Sequence, residues 1–160
     1  MIIAIFNRQK TKPIRIRPLR SLVQSLGEEL DLARAQIGIH LVTAGEMTQV
    51  NETYLNHAGS TDVITFDHAG SMAETCIPQN LYGELFVCVD EALLQARRFN
   101  TSWQAEVTRY IVHGILHLLG YDDRTPHRRK LMKQEENRLV RCLLSKKSFA
   151  SLSGGVKLSK

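Results

Sequence analysis

Apolar residues along this chain keep two alternating periods, and the alternation sets out the elements. Residues 1–6, MIIAIF, make a short apolar run that predicts a strand. Leu19, Leu22, Val23, Leu26 and Leu30 then keep helical spacing, with Pro18 in the first turn of that helix, where its missing N–H costs nothing. From Gln36 to Val42 the period returns to two, with Ile37, Ile39 and Leu41 on one side. Thr43 and Glu46 stand at capping-box spacing and predict a helix through Met47, Val50 and Tyr54. Thr61–Phe66 and Leu81–Val89 are rich in β-branched and aromatic residues and predict two further strands. The turn residues of HAGSMAETCIPQN between them predict a loop.

The second half reads as helical. Asp90 is placed to cap a helix to about Phe99, and Thr101 with Gln104 suggests a capping box before a long helix to about Leu118. Gly120 supplies the permissive backbone of a helix C-terminus. Thr125-Pro126 opens a last helix carrying Leu131, Met132, Leu139 and Leu143. The fold class this predicts is α+β, a small mixed β-sheet packed with helices. Residues 1–145 make one domain of ordinary size, and the small, polar and basic residues 146–160 read as a flexible basic tail.

Composition narrows the setting. Hydrophobic content of 43% and charged content of 23% are those of a folded soluble chain. MIIAIF has neither the basic leader nor the length of a signal peptide, and no stretch is long enough to cross a bilayer, so no membrane partner is expected. Cys76, Cys88 and Cys142 are odd in number and form no CxxC pair, which fits a reducing cytoplasm, with Cys88 a small buried thiol. The net charge of +5 favours polyanions.

The chemistry lies in His113-Gly-Ile-Leu-His117-Leu-Leu-Gly120-Tyr-Asp-Asp123. Histidines four apart project from one helical face and can share an ion, and after Gly120 the chain can close Asp123 back onto it. The pattern H-x3-H-x2-G-x2-D is the extended ligand spacing of zinc peptidases, so the helix is zincin-like. Two imidazoles and a carboxylate leave a tetrahedral zinc ion one open position. His127 is the rival third ligand, and Asp123 is preferred because it holds the motif's spacing while His127 lies beyond Pro126. A peptidase would carry a glutamate as general base after the first histidine; here that residue is Gly114, which argues against peptide hydrolysis.

HGILHLLGYDD resembles the HGxLHLxGYDH signature of the YbeY family, bacterial endoribonucleases of ribosomal RNA maturation. Asn51–Phe66, NETYLNHAGSTDVITF, is similar to that family's LNxxYRxxDxxTDVLSF segment, and Tyr82-Gly83-Glu84-Leu85 to its LGDI strand. The resemblance implies one Zn²⁺ held by His113, His117 and, in place of the family's third histidine, Asp123. An aspartate there should lower the ion's Lewis acidity relative to a third imidazole. It further implies a single-strand-specific endoribonuclease of ribosomal RNA, acting at the 3′ end of 16S rRNA with the small ribosomal subunit as partner and no DNA.

This chain departs from the family at a second point. The arginine that follows the family's tyrosine is Leu55 here, and Arg97, Arg98, Arg109 and Arg124 are unranked candidates to replace it. The departures keep open an alternative, a ribosome-assembly or RNA-binding factor with a structural or weakly catalytic zinc. Asp122 reads as a turn residue or an outer partner of the ion, and Glu84 as facing either the metal cleft or solvent. His57 and His68 flank a strand and could approach the cleft, and His40 belongs to its strand's polar face. Trp103 reads as core or boundary packing, and Arg15, Arg17 and Arg20 as a solvated rim.

Overall fold

The computed structural model describes residues 1–68, 80–146 and 152, with the elements in the order β1 (Ile2–Asn7), α1 (Ile16–Glu29), β2 (Arg34–Val42), α2 (Ala44–Val50), a π turn (Asn51–Leu55), β3 (Val63–Asp67), β4 (Asn80–Cys88), α3 (Val89–Phe99), α4 (Trp103–Leu118) and α5 (Pro126–Leu144). The four strands form one mixed sheet in the order β1-β2-β4-β3. β1, β2 and β4 are parallel, and β3 pairs antiparallel with β4 at the far edge. The fold class is therefore the α+β arrangement that the periodicity predicts.

Register explains the two sides of the sheet. Ile37 and Ile39 of β2 stand beside Ile3 and Ile5 of β1 and beside Gly83 and Leu85 of β4. These positions meet Leu19, Leu22 and Leu26 of α1, Ile111 and Ile115 of α4, and Leu139 and Leu143 of α5 in the main core. A second cluster forms on the opposite face, where Met47 of α2 covers Val42, Ile64 and Cys88. The rest of that opposite face is aromatic. His40 is stacked between Phe6 and Phe86 at centroid distances of 4.8 and 4.4 Å.

Several local expectations change. Cys88 occupies the cap position of α3 without a side-chain cap bond, so Asp90 falls within the first turn. Its carboxylate instead accepts from the Ala44 N–H at 2.7 Å and from the Thr11 hydroxyl, tying α3 to α2 and to the β1–α1 connection. Ser102, not Thr101, caps α4, accepting from the Ala105 N–H at 3.1 Å. Thr43 caps α2 as predicted, but Glu46 turns outward to Arg8 rather than completing the box. The helix through Tyr54 changes at Asn51 into a π turn, closed by Asn56 at φ 54°, which leaves Tyr54 exposed. Leu131 is exposed; Met132, Leu139 and Leu143 carry the buried stripe of α5. Residues 69–79, most of the predicted loop and Cys76 with it, lie outside the described residues. Leu152, within the segment expected to be a tail, is buried in the core, and its carbonyl accepts from the Arg15 N–H at 3.1 Å.

Candidate metal centre

Helix α4 carries the histidines with its apolar side already committed to the sheet. Gly114 is the reason it lies so close: a Cβ there would come within 2.5 Å of Leu85 and 3.3 Å of the Thr65 hydroxyl. The position that holds a glutamate in zinc peptidases therefore faces the strands, with no room for a side chain. Gly83 on β4 makes the matching concession, since a Cβ there would meet Leu118 at 2.6 Å and the Phe66 carbonyl at 2.7 Å.

The turn after α4 is a Schellman motif. The Gly120 N–H donates to the His117 carbonyl at 2.9 Å, and the Tyr121 N–H to the Leu116 carbonyl at 3.0 Å. Gly120 takes φ 89°, a conformation costly for any other residue but asparagine or aspartate. This sharp reversal brings Asp123 beside the helix it has just left. Donor atoms of His113, His117 and Asp123 all lie within 4.8 Å of one another. His127 is exposed on the first turn of α5 and is not in that group.

Hydrogen bonding selects the imidazole tautomers. His113 places Nδ1 2.9 Å from Glu136 Oε2, and His117 places Nδ1 3.0 Å from the Tyr121 carbonyl. Both partners accept, so both Nδ1 atoms carry hydrogen. The two Nε2 atoms then point lone pairs at each other across 3.0 Å. Two lone pairs at that distance repel unless a proton or a cation lies between them. Two imidazoles oriented from behind and a carboxylate beside them fit a divalent ion of tetrahedral preference, which could be held with one position left for a ligand.

Glu136 is the centre of a charged cluster behind His113. It is 3% exposed and accepts from Arg109 at 2.6 Å and from Lys133 at 2.8 Å, as well as from His113. Burial alone would raise its pKa, but the hydrogen bonds from His113, Lys133 and Arg109 outweigh this and hold the carboxyl at about 2. Reading by motif missed Glu136. Its signal was available, because Met132, Glu136, Leu139 and Leu143 share one face of α5 and a glutamate interrupts an otherwise apolar stripe.

Beside His113 lies a cavity of about 160 Å³, walled by Asp62, Tyr110, His113, Asp123, Arg129 and Lys133 among others. Tyr110 is 4% exposed, and its hydroxyl has no hydrogen-bond partner among the described residues. Burial, with Asp62 and Glu106 nearby, pushes its pKa up and keeps the phenol protonated. Of the four candidate arginines, Arg109 alone is in this wall. Arg97 and Arg98 end α3 in solvent, with Arg98 over the Phe99 ring, and Arg124 is exposed on the α4–α5 turn. Leu55 is exposed.

The other predicted residues take structural places. Asp122 accepts from the Arg124 N–H at 2.9 Å and from Arg128 at 2.5 Å, which lowers its pKa. Glu84 faces away from the metal group and binds His40 at 3.1 Å and His68 at 3.3 Å on the open side of the sheet. His57 is exposed. Trp103 packs against the main core, and Arg20 donates to the Ile3 carbonyl. Cys88 is buried, and burial pushes its thiol pKa up.

A small mixed sheet, a helix laid on it through glycine, and two back-oriented histidines with an aspartate after the turn define an α+β protein whose zincin-like helix carries a group that could hold a metal ion. Comparison with known proteins makes the family explicit. The family model described as Endoribonuclease YbeY matches residues 4–143, and the chain belongs to the YbeY family. An Endoribonuclease YbeY of Bacteroides fragilis is 30% identical over 131 residues, spanning 82% of this chain and 89% of that one. The Endoribonuclease YbeY of Chlamydia caviae is 30% identical over 150 residues, spanning 91% and 92%. The solution structure of TM1509 from Thermotoga maritima superposes with a TM-score of 0.67 at 25% identity, covering 99% of both chains.

Proposed function

We propose that this protein is a zinc-dependent endoribonuclease that cuts single-stranded ribosomal RNA, acting in 16S 3′-end maturation on the small ribosomal subunit in the cytoplasm. The observation that carries the reading is the pair of Nε2 atoms converging at 3.0 Å with Asp123 beside them, in a chain of the YbeY family. His113, His117 and Asp123 would hold the zinc, which when bound supplies Lewis acidity toward a phosphodiester. Glu136 and the Tyr121 carbonyl keep the two imidazoles in the metal-binding tautomer. Basic residues at the cavity wall hold the RNA backbone, which makes binding salt-dependent. Residues 1–145 act as one domain, with 146–160 as a basic tail from which Leu152 is buried in the main core.

The test is cleavage of ribosomal RNA by the purified chain with zinc and with a chelator, alongside His113→Ala and His117→Ala proteins shown by circular dichroism to be folded. Cleavage that needs zinc and both histidines is the expected result. Cleavage undiminished in the alanine proteins would remove the catalytic role of the site. Leu55, exposed where the family carries an arginine, motivates a second reading, an assembly factor with a structural zinc. That reading requires RNA binding and normal ribosome maturation in the alanine variants.

A further inference from the structure

Helix α5 begins against its own electrostatics. After the Thr125 cap and Pro126 come His127, Arg128, Arg129 and Lys130, and the first turn holds no acid. The positive end of a helix dipole favours Asp and Glu, as the first turns of α2, α3 and α4 show with Glu46, Asp90 and Glu106. Between residues 122 and 133 the chain carries five cations and two acids. Asp123 belongs to the metal group, and Asp122 is already engaged by Arg128 and the Arg124 N–H. Arg124 and Lys130 have no acidic partner among the described residues. Arg129 stands in the wall of the metal cavity, and its Nε donates to the Asp123 carbonyl at 3.1 Å, a neutral acceptor that leaves its charge uncompensated.

An independent observation points to a polar occupant of the same cavity. Its wall includes Tyr110, 4% exposed, with a hydroxyl that no described residue satisfies. The same wall carries Asp62, Asp123 and Glu136, so an anion is favoured not inside the cavity but on the cationic rim beside it, where Arg124, Arg129 and Lys130 have no acidic partner among the described residues. We propose that Arg124, Arg128, Arg129 and Lys130 form the docking surface for the phosphate backbone of single-stranded RNA, supplying beside the metal cavity the positive charge that Leu55 does not. Long cationic side chains on an exposed turn suit a flexible polyanion whose phosphates they can follow. The inference rests on RNA being the substrate and assigns which surface of the protein binds it.

The experiment measures fluorescence anisotropy of a labelled oligouridylate with the zinc-loaded full chain across a salt series, the probe being checked for intactness on a gel. The test protein is Arg124→Gln/Arg128→Gln/Lys130→Gln, and the control removes equal charge elsewhere with Arg15→Gln/Arg17→Gln/Arg97→Gln. Each phosphate contact contributes about 0.7 to the slope of log affinity against log salt for a single strand, so three lost contacts should flatten it by about 2. Affinity at about 0.1 M salt should fall at least roughly tenfold, while the control keeps the wild-type slope. The melting temperature of the test protein should stay within a few degrees of wild type, because the gain at the helix end offsets the exposed Arg128–Asp122 pair that is lost. A charge-keeping Arg124→Lys/Arg128→Lys protein should bind as wild type, which separates lost charge from lost structure. Unchanged slope in the test protein, equal loss in the control, no binding by wild type, or polyglutamate competing as well as unlabelled oligouridylate would each overturn the inference. Wild type that binds through this rim yet never cuts ribosomal RNA would instead overturn the endoribonuclease reading and leave the rim standing.

Discussion

Glu136 shows how much one buried carboxylate can organise. It fixes the His113 tautomer, and it is held ionised by Arg109 and Lys133 in a place where an uncompensated charge would be costly. A carboxylate behind a metal-binding imidazole typically contributes 10–100-fold in metal affinity. Glu136→Gln should therefore weaken zinc binding by roughly that factor, measured by competition with a chromophoric chelator, with the fold retained by circular dichroism. The same residue predicts an acid limb of stability. Its folded pKa of about 2 is below the ordinary 4.5, so its contribution is complete above pH 4.5 and lost as pH falls toward 2. Unfolding free energies from urea titrations across that window should fall for wild type, by something on the order of 3 kcal/mol from this group. The Gln protein should show a shallower dependence.

At the scale of elements, the site depends on how closely α4 can approach the sheet. Gly114 and Gly83 face each other's layers, and each leaves space that a neighbouring side chain fills. The two positions differ in what a methyl would meet. At Gly114 the nearest atom is the end of a leucine side chain, whereas at Gly83 it would also meet the Phe66 backbone carbonyl, which is held in the β3–β4 ladder. Gly83→Ala should destabilise by about 1–3 kcal/mol through overpacking. Equilibrium urea denaturation at constant zinc checks this, and a change within a few tenths of a kcal/mol would show that the layers separate easily. The helices themselves were legible because their apolar stripes and caps are local. Asp90 and Thr101 do not cap, because each side chain has a stronger distant or neighbouring partner, Ala44 for Asp90 and Glu106 for Thr101.

Over the whole molecule, the candidate metal group joins α4, the turn after it and α5, an arrangement in which a bound ion would couple folding to metal. The three candidate ligands come from a span of eleven residues, but Glu136 ties them to the far helix that closes the main core. Zinc should raise the melting temperature of the chain, with a stabilisation of about 2.7 kcal/mol when free zinc is a hundredfold above its dissociation constant. A chelator should reverse the shift, and His113→Ala should show little of it. Differential scanning calorimetry at matched zinc activity measures both. No described helix is long and apolar enough to cross a membrane. The open face of the sheet, with His40 between two phenylalanines and Glu84 between two histidines, is remote from this coupling.

By itself the sequence determined what is local in the chain: the order of strands and helices, the helical spacing that puts His113 and His117 on one face, the glycine that turns the chain before Asp123, and the family signature that contains them. Each follows from backbone geometry over a few residues. The tertiary structure decided what depends on distant segments. It placed Glu136 behind His113 across 23 positions of sequence, turned Glu84 and His68 to the opposite side of the sheet, and brought Arg109 and Arg129 to the cavity while leaving Arg97 and Arg98 in solvent. Hydrophobic burial is what chooses among these arrangements, and it acts between elements, where sequence spacing carries no distance.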